Sequence, residues 1–444
     1  MTLSLQSRRL FALAIPMIIS NITTPLIGLV DTAVMGHMQD VSHLAGVSLG
    51  AIILTQIIWI CGFLRMSATG LSAQTHGKHD PVAAGRVLLQ TASLGLALGV
   101  LLVVCQTPLL QAGLWLAEPS PEVALAATEY FQIRVWSAPM AMMNLALVGW
   151  LVGQQKHRHI MQIQILANVV NVGLDLLLVF GFEMGVSGVA IASVCAEILI
   201  FILAAKVAWQ TAQGGLGRVV LLYKDLSRLL LLNSDMLVRN LALQLCLAFV
   251  TYTGISFGDV TASVNAIILQ FFTLIALGLD GLAYAVEALV GEAAGQEQQQ
   301  GERSSRAVLH NPSNLKLIVN NALWWSSAFA VGYSLVFAFA GSSIVAMLTD
   351  LDVLRSAMSD YLIFLVALPM IAHWCFLFDG VYIGLTKAKI MRNSMLVCTA
   401  LFFFPGWMAL SHFGNEGLWS CFLLFLALRG LTLGYHFYRY EVLS

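Results

Sequence analysis

Apolar runs, broken by short polar clusters, recur along the whole chain. A bilayer-spanning helix needs about 20 apolar residues, and cutting the chain at its polar interruptions predicts about twelve such helices. They begin near Arg9, Ser42, Ala84, Pro121, Ile160, Val186, Asp235, Val260, Leu315, Val353, Ile390 and Glu416. The predicted fold class is therefore all-α integral membrane. Arg8 and Arg9 precede the first run as in a signal peptide, but that run contains Pro16, Pro25 and Asp31 and no small-residue cleavage site. It is read as a retained first span.

The charges in the turns alternate. Even-numbered turns hold Lys78 and Arg86; Lys156 and Arg158; Lys206, Arg218, Lys224 and Arg228; Arg303, Arg306 and Lys316; Lys387, Lys389 and Arg392. Odd-numbered turns hold acids (Asp40, Glu118, Glu183, Asp259, Asp350, Asp352, Glu416), with Arg355 as the one base. Cytoplasmic loops carry the excess of Lys and Arg, so both termini are expected in the cytoplasm and the number of spans is expected to be even.

The polar stretch from Gln210 to Lys224 divides the chain nearly in half and prompts a search for a repeat. Ala51-Ile-Ile-Leu54 recurs as Ala266-Ile-Ile-Leu269, PMIISN (Pro16–Asn21) as DMLVRN (Asp235–Asn240), and Pro139, Gly153 and Lys156 as Pro369, Gly384 and Lys387. Leu71–Gly77 lines up with Leu289–Gly295 after a three-residue gap. Two parallel six-helix repeats, a known transporter layout, are expected: an N-terminal lobe over 1–211, a cytoplasmic linker over 212–234 and a C-terminal lobe over 235–444.

Composition sharpens this picture. The chain is 59% hydrophobic and 10% charged, against about 25% charged in soluble domains. A net charge of −1 without a basic patch gives no reason to expect nucleic acid. The seven scattered cysteines form no C-x-x-C pair and read as small buried hydrophobes. There is no G-x-S-x-G, H-E-x-x-H or P-loop motif, so neither an enzyme nor a cofactor is expected, and the energy for work must come from an ion gradient.

Against this background the polar residues inside spans stand out. An ionised side chain at membrane depth is expensive and marks ion pathways or proton relays. Asp31, Gly28, Thr24 and Asn21 recur at helical spacing and form a polar stripe on the first span. Pro16 and Pro25 each free a helix carbonyl there. In the fifth span Asn168, Asn171 and Asp175 share one face, where the alternative to ion chemistry is helix cross-linking by hydrogen bonds. At about 1.5 Å per residue, Asp31, Asp175 and the sixth-span Ser193 reach similar depth in the outer half of the membrane, where two carboxylates sharing a polar pocket can hold a proton. In the repeat alignment Asp31 falls opposite Val250, Asn171 opposite Leu401 and Asp175 opposite Pro405, so the second half lacks the site. The corresponding cavity would be lined by Tyr252, Phe271, Phe402, Phe403 and Phe404, with Asn21 and Thr24 also facing substrate; the alternative for the aromatic run is ordinary packing or lipid contact. Arg65 and Asp280 both lie fourteen residues after the shared Ala and suggest an inter-lobe gate; the alternative is that each is satisfied within its own half. Glu197, Arg134, Arg239 and Arg429 read as structural.

Several motifs together resemble the MATE family of multidrug and toxic compound extruders, in its prokaryotic DinF-like branch. They are Pro16…Asn21…Asp31-x-x-x-x-Gly36, LAGVSLG (Leu44–Gly50), Ser67–Gly77, Asn168-x-x-Asn171-x-x-x-Asp175, LVGEAAG (Leu289–Gly295) and Asp379–Met395. The resemblance covers essentially the whole chain. It implies two six-helix lobes around a V-shaped cavity, alternating access, and antiport of lipophilic, often cationic compounds from a monomer in the bacterial inner membrane. It also implies that Asp31 is the coupling carboxylate, with Asn171, Asp175 and Ser193 beside it and Pro16 at the bend. A tyrosine found one turn before that Asp in some relatives is Ile27 here. The branch with a second-half sodium site uses acids in spans seven and ten. Only Asp379 resembles one of these, which favours protons over sodium. A lipid or lipid-linked oligosaccharide flippase, and sodium-coupled drug antiport, are the alternatives.

Overall fold

The computed structural model describes residues 4–36, 41–216, 223–303 and 312–442, and side chains among them except at 24–36, 41, 216, 223–226, 302–303, 312–313 and 348. Every regular element is helical among the described residues. Contacts divide the chain into two compact units, one of Ile19–Leu229 and one of Met1–Ile18 with Leu230–Ser444. The division falls inside the first helix, α1 (Leu5–Gly36).

The first unit continues with α2 (Val41–Ile60), α3 (Phe63–Gly77), α4 (Pro81–Val104), α5 (Gln106–Ala117), α6 (Pro121–Arg134), α7 (Ala138–Gly153), α8 (His157–Leu176) and α9 (Gly185–Leu216). The second holds α10 (Tyr223–Ile255), α11 (Asp259–Arg303), α12 (Pro312–Leu348), α13 (Asp352–Gly384), α14 (Ala388–Val397), α15 (Phe404–Leu410) and α16 (Gly414–His436). Ten stretches of the described residues are long and apolar enough to cross a membrane. One of them, Ala388–Glu441, is 54 residues long, and Gly414 at φ +59° breaks it in two. With α1, the count reaches the expected twelve. The sequence pattern did not anticipate α5, whose 12 residues span only about 18 Å and cannot cross.

The two units share a packing device. In α7, Gly149 and Gly153 form a G-x-x-x-G pair against α3: a Cβ on Gly149 would lie 2.3 Å from the Arg65 carbonyl oxygen, and one on Gly153 2.6 Å from Ala73 N. In α13, Gly380 and Gly384 press on α11 at the Ala283 and Glu287 carbonyl oxygens, at 2.8 and 2.7 Å. Lipid tails are as apolar as leucine, so close backbone approach and interhelical hydrogen bonds hold such helices together. Accordingly, the Ser72 hydroxyl donates to the Trp150 carbonyl at 2.8 Å, and Gln154 donates to Ser72 at 3.0 Å.

This register corrects one expected equivalence. Gly149 meets Arg65 and Gly380 meets Ala283, so Ala283, not Asp280, is the packing counterpart of Arg65. The count from the shared Ala fails because the first-half helix is interrupted at Cys61–Gly62, between α2 and α3, whereas α11 runs through. The three-residue offset therefore lies before Arg65, not after it.

Candidate functional site

Within the first unit, α8 has one face of polar side chains and another of exposed apolar ones. Asn168, Asn171 and Asp175 are all buried, Asp175 at 0% and Asn171 at 1% exposure, while Val169 between them is 64% exposed. Helical spacing of three and four sorts the two sets, and α8 packs against α9 and α7. A π-helical turn, Leu177–Gly181, begins two residues beyond Asp175; such turns frequently mark functional sites. Ser193, also buried, comes from α9.

The side-chain amide of Asn171 has no hydrogen-bond partner among the described residues at either its oxygen or its nitrogen, and Asn168 lacks one at its nitrogen. A buried amide left unpaired costs about 1–3 kcal/mol. It therefore retains unused capacity to donate and accept next to a buried carboxyl group. The side chains of Asp31 and Thr24 lie outside the described residues. Asn21 is half-buried and Pro16 buried, and α1 runs unbroken through Pro16.

One turn beyond Ser193 on α9, Glu197 accepts from Arg134 at 3.3 Å and from Asn144 Nδ2 at 2.8 Å. Arg134 also reaches the Ser137 hydroxyl. This cluster joins α6, α7 and α9, in keeping with the structural role read for Glu197 and Arg134.

Spans five and eleven begin alike, with positive-φ Gln155 and Thr386, 231 positions apart, just ahead of α8 and α14. The π-helical turn then falls at Leu177–Gly181, after Asp175, in the first and at Cys398–Phe403 in the second. The stretch 399–406 holds no carboxylate.

The aromatic residues expected around a second-half cavity separate. Phe403 is 0% exposed and, with the buried Phe271, belongs to the hydrophobic core of the second unit. Phe403 packs edge-on against Phe249, Phe404 and Phe425, so it presents no surface to a solute in this structure. Tyr252 is 79% exposed, and Phe402 is exposed as well. Val250, opposite Asp31, is buried in the same core.

In the second unit Asp379 stands between two guanidinium groups. Its Oδ2 accepts from Arg429 at 2.7 Å and from Arg239, and Arg239 also donates to Asn240 at 3.0 Å. The cluster pins α10, α13 and α16. Arg65 on α3 and Asp280 on α11 are both half-buried. Among the described residues no group of three His, Cys, Asp or Glu side chains could hold a metal ion.

The family model MatE matches residues 16–177. The chain is 38% identical over 435 residues to DNA damage-inducible protein F of Escherichia coli strain K12, covering 97% of this chain and 92% of that protein. The chain belongs to the MATE family, in its DinF-like branch. It is also 26% identical over 462 residues to a probable multidrug resistance protein NorM of Rhizobium meliloti, covering 96% and 92% of the two. Its fold matches a crystal structure described as MATE in the bent conformation with a TM-score of 0.86 at 17% identity, covering 98% of this chain and 95% of that one. Like other MATE proteins it is a multi-pass membrane transporter, not an enzyme, and it works as a secondary active transporter by alternating access.

Proposed function

We propose that this MATE protein is a proton-coupled antiporter that exports lipophilic, often cationic compounds across the bacterial inner membrane, with both termini in the cytoplasm. The observation that carries the reading is the buried face of α8: Asp175 beside an Asn171 amide that no described residue satisfies. Asp31 is the partner carboxylate on α1, with Asn168 and Ser193 completing a polar pocket. Protonation removes the cost of holding an ionised carboxylate at membrane depth. The polar stripe of Asn21, Thr24 and Asp31 then rearranges, and α1 bends near Pro16 to release the substrate outward. One elementary charge moved through 100 mV supplies about 2.3 kcal/mol, enough for a gradient of several tens-fold per proton.

The state of Asp379 favours protons over sodium. Two guanidinium groups already neutralise it, which leaves it little attraction for a further cation. The flippase alternative loses support for a related reason. A phosphate-binding cavity needs several uncommitted cationic groups, whereas of the candidates Arg65, Arg134 and Arg239 the last two each face an acid. The relatives described as multidrug resistance proteins support the substrate class.

The test is substrate-driven pH change in proteoliposomes with the pH and sodium gradients varied independently. Substrate addition should move protons at any sodium concentration, and Asp31→Asn should abolish the movement. Wild-type rates against a gradient in Asp31→Asn would overturn the assignment of the coupling group.

A further inference from the structure

The first half of α1 is bound along its length to two helices of the second unit, α11 and α12. Ser7, buried at 5% exposure, donates its hydroxyl to Asn321 Oδ1 at 2.9 Å and accepts from Trp325 Nε1 at 3.1 Å. One turn on, the Phe11 ring stands edge-on to Trp325 with centroids 4.6 Å apart. Arg9 donates to Glu292 at 2.7 Å, although Arg9 is half exposed and such pairs contribute little. At the far end Gly281 admits Ile18 so closely that a Cβ there would lie 2.9 Å from the Ile18 backbone nitrogen.

The contact division between the two units falls immediately after Ile18. Pro16 sits two residues before it and cannot donate to the Ala12 carbonyl, which leaves a gap in the hydrogen-bond ladder within a turn of the division. A helix shared by two bodies that move in a transport cycle must flex where its attachment changes, and here the sequence supplies the flexible step at that point.

We infer that residues 5–18 are a permanent part of the second unit, latched by Ser7, Asn321 and Trp325. The bend occurs at the end of this latch, so rearrangement of the outer half of α1 is delivered to the second unit as movement. Ser7, Asn321 and Trp325 are positioning residues for transport, although none belongs to the polar pocket around Asp175. The inference rests on the proposed bending of α1 but not on which ion drives it.

The test introduces cysteines at Ser7 and Asn321 in a protein whose native cysteines are replaced, reconstitutes it, and follows ethidium, a lipophilic cation, together with internal pH. Oxidative crosslinking of the pair should leave ethidium transport at the rate of the reduced protein. Loss of transport on crosslinking, restored by reduction, would overturn the proposal, because the latch would then have to open during the cycle. Asn321→Leu and Trp325→Leu should raise the number of protons moved per ethidium, whereas a merely structural role would lower both fluxes together. Ser7→Thr, which keeps the hydroxyl, should keep the wild-type ratio. If the wild type moves ethidium without protons, proton coupling fails, yet the crosslinking result still reads the latch.

Discussion

Asn171 is the residue at which structural and functional roles separate most cleanly. A side chain kept for stability should cost stability when removed, but its amide is buried without a partner among the described residues. Asn171→Leu should therefore leave thermal unfolding in detergent unchanged or raise stability by up to about 1–3 kcal/mol, while substrate-driven proton flux falls. Reduced stability with intact flux would assign Asn171 to helix packing instead. Asp379 is the opposite case. Asp379→Asn leaves two buried guanidinium groups uncompensated and should destabilise the protein by about 3–5 kcal/mol. Replacing Arg239, Asp379 and Arg429 together with apolar residues should recover most of that loss in the same unfolding measurement, since a buried ion cluster is stabilising mainly relative to its broken form.

At the scale of elements, the paired glycines of α7 and α13 set how closely each packs on its neighbour. Gly149→Val and Gly380→Val would each place a side chain within 3 Å of backbone, and overpacking of this kind costs about 1–3 kcal/mol or more. Both should lower the midpoint of thermal unfolding. Gly173 serves as a control on α8, because an added Cβ there meets nothing within 4 Å; Gly173→Ala should be neutral or stabilising by up to about 1 kcal/mol. Pro16→Ala restores a helix hydrogen bond where a proline costs about 3 kcal/mol. The variant should be more stable than the wild type yet slower in transport, measured by unfolding and ethidium efflux. Wild-type efflux in Pro16→Ala would remove the bend from the mechanism.

For the whole molecule, orientation follows from the Lys and Arg bias of the turns and can be read directly. In a background without the seven native cysteines, a single cysteine at Glu183 should react with an impermeant thiol reagent in intact cells. One at Gln155 should react only after the cells are opened. The reverse pattern would invert the topology and with it the direction of the proposed antiport.

The sequence by itself determined the fold class, the number of spans and the polar face of α8, because each is a periodic property of contiguous residues: 20 apolar positions cross a bilayer, and spacings of three and four share a helix face. It also exposed Asp31 and Asp175, since a carboxylate within an apolar run is conspicuous without any knowledge of its neighbours. What only the tertiary structure decided involves register and partners between distant segments. The helix interruption at Cys61–Gly62 moved the counterpart of Arg65 from Asp280 to Ala283. The π-helical turn sits after Asp175 in span five but at Cys398–Phe403 in span eleven, a difference no sequence alignment anticipates. Burial decided between cavity lining and ordinary packing for Phe403 by placing it in a core. The pairing of Ser7 with Asn321, more than three hundred positions away, has no local signature: a serine in a helix looks the same in sequence whatever faces it, and only packing selects its partner.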